Sequence, residues 1–80
     1  MTYRLFKKVA LLYDMPDKKL KKGDIAVIVE HHPVSDDEDG YSLEIFNAVG
    51  DTIGVITVPE SAIMPLTQHE IPSIRSLAAA

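Results

Sequence analysis

The stretch that decides the fold is "VALLYDMPDKKLKKGDIAVIVE", Val9 to Glu30. Two apolar runs, Val9–Tyr13 and the segment from Ile25 onward, flank a polar, lysine-rich piece. Pro16 bars a helix interior between them, and Gly23-Asp24 supplies a turn into the second run. The stretch therefore reads as strand, long loop, strand. Short β-rich runs punctuated by Gly, Pro and Asp continue downstream, the pattern of a small all-β domain. The expected strands are Lys8–Tyr13, Ile25–His31, Tyr41–Asn47, Thr52–Val58 and a short Ile63–Leu66. An acidic hairpin loop ("PVSDDEDG", Pro33–Gly40) and a tight turn at Val49-Gly50-Asp51 join the middle strands. Pro59-Glu60-Ser61-Ala62 suits one turn of 3₁₀ helix before the last strand.

At 80 residues the chain holds one domain, and with no cysteine it has neither disulfides nor thiolate metal sites to support it. An apolar content of 46% argues for a packed globule and against disorder. The apolar run Val9–Tyr13 is too short for a signal-peptide core or a bilayer span, so a cytoplasmic protein is expected. The net charge of −4 hides a marked polarity. Residues 1–22 hold seven of the eight cations against two aspartates, a local charge of +5. Residues 23–70 hold ten anions and no cation.

Tyr41, Leu43 and Ile45 alternate with Ser42 and Glu44, which places the former in the core. Phe46 breaks this period and signals a bulge or an exposed aromatic. Strands 2 and 4 are apolar on both parities: Ile25, Val27 and Val29 against Ala26 and Ile28, and Ile53 and Val55 against Ile56 and Val58. A barrel this small has one inside, so part of this surface needs an external cover. The tail, residues 67–80, is one candidate. Thr67-Gln68-His69-Glu70 fits a capping box, Leu66 and Ile71 fit a hydrophobic staple, and Ile71, Ile74 and Leu77 recur at helical spacing, although Pro72 limits a helix. The barrel is then residues 1–66 and the tail residues 67–80, a docked short helix being one cover and a second copy or a partner the others. Ala78–Ala80 are given no weight.

Ala10-Leu11-Leu12-Tyr13-Asp14 resembles the opening of an SH3 domain. Peptide-binding SH3 domains lay a polyproline helix across a row of aromatics. Here Met15 stands at the second tyrosine, there is no tryptophan, and Pro59-Glu60-Ser61-Ala62 lacks the asparagine and tyrosine of the late motif. The fold is implied and the polyproline groove is not.

A longer resemblance runs over about residues 7–66. The ordered segments "VALLYDMP", "LKKGDIAVIVE", "YSLEIF", "VGD", "TVP" and "IMPL" are similar to the small bacterial family catalogued as domain of unknown function 4926. That resemblance implies an SH3-like barrel without an established activity, and by analogy a dedicated protein partner of toxin–antitoxin or immunity type. Lys7, Ala26 and Met64 replace the aspartate, glycine and arginine of the family pattern.

His31 and His32 lie beside Asp36-Asp37-Glu38-Asp39, but neighbours on a strand face opposite ways and do not share an ion. With Gly40 at the sixth place of a calcium loop, Ser35 and Phe46 fall at the first and twelfth, where carboxylates belong. No cysteine nucleophile or G-x-S-x-G elbow is present, and Glu30 with Glu44 reads as a pair of exposed strand carboxylates. No cofactor is expected, and the chain is read as no enzyme. A nucleic-acid role of the KOW kind, at the ribosome or RNA polymerase, draws on Lys18, Lys19, Lys21 and Lys22 and on Tyr3, Phe6 and Phe46 as stacking aromatics. The pI near 5.1 and the cation-free strands 2–4 weigh against it. The preferred expectation is a non-catalytic module that binds another protein or itself. Its surface would comprise Phe46, Ile28 and Ile56 for affinity, with Lys18, Lys19, Lys21 and Lys22, or else the acidic loop Asp36–Asp39, for steering.

Overall fold

A computed structural model describes residues 3–77; Ala78–Ala80 lie outside them. Five antiparallel strands form one sheet: β1 (Lys8–Leu11), β2 (Ile25–His32), β3 (Gly40–Phe46), β4 (Thr52–Pro59) and β5 (Ile63–Pro65). Their spatial order is β4-β3-β2-β1-β5. β1 to β4 form a meander, and a 3₁₀ turn at Glu60–Ala62 returns the chain so that β5 pairs with β1. This is the all-β order expected from the sequence, with β4 and β5 as the two edges.

One face of the sheet makes the core. Tyr41, Leu43 and Ile45 of β3 face inward as their alternation requires, and Tyr41 and Leu43 are fully buried. Their cross-strand partners Ile28 and Ala26 on β2, and Val58 and Ile56 on β4, fill the same face. β1 lies between β2 and β5, so Val9, Ala10 and Leu11 are all buried. It stops at Leu11, two residues before the expected end, because Leu12 and Tyr13 already turn into the loop; Leu12 N–H donates to Ala62 O at 2.8 Å.

Out-of-phase residues coincide with irregular pairing. A bulge between Ile28 and Glu30 leaves Val29 without an opposite residue on β3. A second lies where Ile45 faces Gly54 and Phe46 faces Thr52, so the extra residue is Ile53 on β4. Phe46 is thus both beside a bulge and exposed.

The lysine-rich loop is ordered by its aspartates. Asp14 Oδ1 accepts the Lys22 N–H and Asp24 Oδ2 accepts the Lys21 N–H, each at 2.8 Å. Within it, Pro16–Lys18 forms one 3₁₀ turn with Pro at its start and Lys19 in the left-handed region (φ 59°) at its end. Met15 and Leu20 exchange backbone bonds across that turn, and Leu20 is buried in the core. Gly23 has φ 93°, a conformation that favours glycine, and its N–H reaches Leu11 O at 2.8 Å.

The tail differs from expectation. Thr67 and Glu70 make one half of the capping box: Glu70 Oε1 accepts the Thr67 N–H at 2.6 Å, while Thr67 Oγ1 accepts the His69 N–H at 3.1 Å, in place of that of Glu70, and donates to Glu70 Oε2 at 2.9 Å. Through Leu77 no helix follows. Pro72 offers no N–H to a helical ladder, and the cap closes an isolated turn. Ile71 and Ile74 are 90% and 93% exposed, so they do not cover the barrel. The tail meets the sheet through the polar contacts of Arg75, a residue outside the expected apolar stripe, and through Leu77, the one member of that stripe that is half-covered.

Candidate interaction groove

At the end of the sheet where β2 begins and β3 ends, the lysine loop, the β3–β4 hairpin and the tail surround two adjoining hollows of about 370 and 460 Å³. Leu20, Ile45, Ile53 and Leu77 line both. Buried Leu20, Ile45 and Ile56 form the floor. The exposed side chains of Ile53, Val55 and Phe46 form the walls. Asp17, Lys18 and Lys19 stand along one rim, and Asp24 and Arg75 along another.

Gly54 lies in the wall on the core-facing rung Ala26–Ile45–Gly54. Its backbone is ordinary strand, and a Cβ built there meets no atom within 4 Å. Neither a turn nor close packing in the isolated chain requires a glycine at that place. A glycine inside a strand otherwise marks a bulge, a bend or close approach of another group. Here a bulge is adjacent and an open slot lies above it.

The tail closes one side of the groove through Arg75. Its Nε donates to Asp24 Oδ1 at 2.8 Å and its Nη2 to Lys19 O at 3.0 Å, with a further Nη2 contact to Asp24 Oδ2. Burial pushes the Asp24 carboxyl up. The Arg75 hydrogen bond, the Lys21 N–H and the nearby Arg75 and Lys21 charges outweigh it and hold the group below its ordinary value. The same hydrogen bond raises the Arg75 guanidinium against a smaller opposing effect of burial.

The opposite end of the sheet is polar and internally satisfied. His31 Nε2 lies 2.6 Å from Asp39 Oδ2, and its ring stacks on Tyr41 with centroids 5.0 Å apart. The Tyr41 hydroxyl accepts the Tyr3 N–H at 2.9 Å and donates to Glu60 Oε1 at 3.2 Å. Desolvation raises the Tyr41 phenol. The His31 hydrogen bond and the Val34 N–H hold Asp39 below its ordinary value. Glu38 accepts the Ser61 N–H at 2.7 Å and the Ser61 hydroxyl at 3.1 Å, tying the acidic loop to the 3₁₀ turn. His32 points the other way, to Ser42 Oγ at 2.7 Å, so the two histidines face opposite sides. Glu30 stands opposite Ser42 and Glu44 opposite Val27, and Glu44 accepts the Thr52 hydroxyl at 2.6 Å.

Of the surface residues expected from sequence, the groove gathers Phe46, Ile56, Lys18 and Lys19. Ile28 is corrected: it is fully buried opposite Leu43 and takes no part in a surface. Lys21 and Lys22 belong to the same loop but do not line the groove; their backbone N–H groups are spent on Asp24 and Asp14. Sequence reasoning missed Leu20, Gly54 and the Asp24–Arg75 pair, and it offered Leu77 only as part of a helical tail stripe with Ile71 and Ile74. The one signal for Gly54 was a glycine interrupting a β-branched run, and Arg75 stood out only as the sole cation after residue 22.

The family model described as Domain of unknown function (DUF4926) matches residues 5–65. The chain belongs to this family. The match takes in all five DUF4926 strands and both rims of the groove except the tail. No curated protein and no solved structure matches the chain. Among the described residues no helix is long and apolar enough to cross a membrane, and no group of three or more His, Cys, Asp or Glu is placed to hold a metal ion.

Proposed function

We propose that the chain is a non-catalytic, cytoplasmic protein-interaction module that takes a segment of a protein, another chain or its own kind, into the groove between the lysine loop and β4. The observation that carries this reading is the groove's composition. An apolar floor and walls lie open to solvent, beside Lys18 and Lys19, neither of which forms an ion pair among the described residues. Hydrophobic walls with a charged rim suit a protein segment, the walls supplying affinity and the lysines steering. The polar end offers less for chemistry, since the His31, Tyr41 and Asp39 side chains are already engaged with one another or with Glu60. The family analogy adds a dedicated partner of toxin–antitoxin or immunity type.

The test is affinity capture with the tagged chain from native lysate, with and without nuclease, repeated with Phe46→Asp. One protein at about equal stoichiometry, retained after nuclease and lost with Phe46→Asp, is expected. Capture of ribosomal or polymerase proteins that disappears with nuclease would replace this reading with the KOW-like one, in which the same lysines contact phosphates. Capture indifferent to Phe46→Asp would move the binding surface away from the groove.

A further inference from the structure

The chain carries an apolar slot with no filler and two isoleucines with no cover. The slot lies over Gly54, between Ile53, Val55 and buried Leu20. The isoleucines are Ile71 and Ile74, the most exposed large hydrophobic residues described in the molecule. They sit between two points where the tail is bonded to the rest of the chain, the Leu66 N–H to Lys8 O at 3.4 Å and the Arg75 contact to Asp24 and Lys19. While both points hold, Ile74 stands at the mouth of its own chain's first hollow without entering it, and Ile71 and Ile74 stay almost wholly exposed. Pro72 also keeps the segment from coiling into a helix that would bury one face.

We propose that the groove is an interface between two copies of this chain, in which Ile71 and Ile74 of one copy fill the slot over Gly54 of the other, reciprocally about a two-fold axis. This rests on the reading of the groove as a protein-binding site and names its occupant. Self-complementarity is what a two-fold interface demands: each copy must present both the knob and the hole. This chain presents both on described residues. The charges agree as well. Glu70 precedes Ile71, so a tail entering the groove carries a carboxylate toward the rim where Lys18 and Lys19 outnumber Asp17. The glycine at position 54 then has a reason. It leaves the wall of β4 open at the place where a neighbouring chain must approach closely.

The experiment is sedimentation velocity on the full chain from about 1 to 500 μM, a span that brackets weak and moderate dimers. Two variants follow, Gly54→Leu, which fills the hole, and the double variant Ile71→Asp with Ile74→Asp, which removes the knobs. Thermal melts of both confirm folding; the double variant lies on exposed positions and leaves the barrel core untouched. The parent chain is expected to pass from the 8.8 kDa monomer to twice that mass as concentration rises. Each variant is expected to weaken self-association at least tenfold. Mixing the two restores one of the two contacts, because one variant keeps its tail and the other its hole, so the mixture should associate more tightly than either alone. A parent chain that stays monomeric throughout would overturn the tail assignment, while the groove reading would still stand or fall by the lysate capture. A dimer that both variants leave unchanged, or a mixture no tighter than its components, would overturn it too.

Discussion

The two ends of the one sheet solve the problem of a small core in opposite ways. Around the rung His31–Tyr41–Val58, side-chain hydrogen bonds and ring stacking close the structure: His31 on Asp39, Tyr41 on Tyr3 and Glu60, Glu38 on Ser61. Around the rung Ala26–Ile45–Gly54 the walls are apolar and a hollow remains, bounded by a tail held through one arginine. Polar satisfaction makes an end that is complete in itself, since buried donors and acceptors must find partners inside the chain. Apolar surface can instead await an external partner, because no unmet hydrogen bond forces it to close. The difference separates the end that holds the fold from the end available for contact.

The largest effect should come from breaking the closed end. Tyr41 is fully buried, stacks on His31 and meets Tyr3 edge-on at 5.5 Å. Tyr41→Ala should cost about 3–5 kcal/mol in urea unfolding, a large share of what a domain of this size has. Val55→Ala at the open end, where the side chain is exposed, should stay within about 0.5 kcal/mol. Similar losses at the two sites would show that the groove is as integral to the core as the polar cluster. Tyr41→Phe sharpens the contrast. It keeps the ring and removes the hydroxyl bonded to Tyr3 and Glu60, at an expected cost of about 0.5–1.5 kcal/mol.

Two glycines on the β3–β4 hairpin should respond with opposite signs. Gly54 has ordinary strand geometry and open space above it, so Gly54→Ala should stabilise the free chain by about 0.4–1 kcal/mol through the unfolded state. Gly50 has φ 90° in the turn that Asn47 closes, where Asn47 Oδ1 accepts the Val49 and Asp51 N–H groups. Gly50→Ala should destabilise by about 1 kcal/mol or more, because the new Cβ opposes that conformation. Paired urea midpoints decide this. A loss at Gly54 would mean that the slot is tighter than its geometry shows.

How much of this was legible in the sequence follows the physics of each signal. The inward face of β3 and the 3₁₀ turn before β5 could be read because side-chain alternation and proline act locally. Strand 4's surplus apolar parity was also visible, and Ile53 and Val55 duly stand in the groove wall. Ile28 was misplaced because both parities of strand 2 are apolar, and only pairing with Leu43 tells which faces the core. The tail misled for a related reason. Thr67 does cap a turn through the His69 N–H, with Glu70 accepting the Thr67 N–H, but a cap starts a helix only where the next residues can continue it, and Pro72 follows Glu70 by two residues. The Asp24–Arg75 contact joins residues 51 apart, which no local pattern can announce.

That contact yields the smallest and most local effect. Asp24 titrates below its ordinary value of 3.8 in the folded chain, so its contribution is present above the unfolded value and is lost as pH falls through the folded one. Between neutral pH and about 5 the tail should therefore stay on Asp24, and it should come away only in stronger acid. The readout is the NMR signal of Arg75 Nε–H with the methyl groups of Leu77, followed together as pH is lowered. Asp24→Asn reports the same opening at neutral pH and separates it from protonation elsewhere, notably at Asp39, which the His31 hydrogen bond also holds below its ordinary value. In Asp24→Asn the Leu77 methyl shifts should change while those of Val58 hold, since Val58 packs at the far end of β4 and Leu77 lines the groove. Joint movement of both sets would mean that the two ends are mechanically one unit. Leu77 shifts unchanged in Asp24→Asn would mean that the apolar wall, and not the arginine, holds the tail in place.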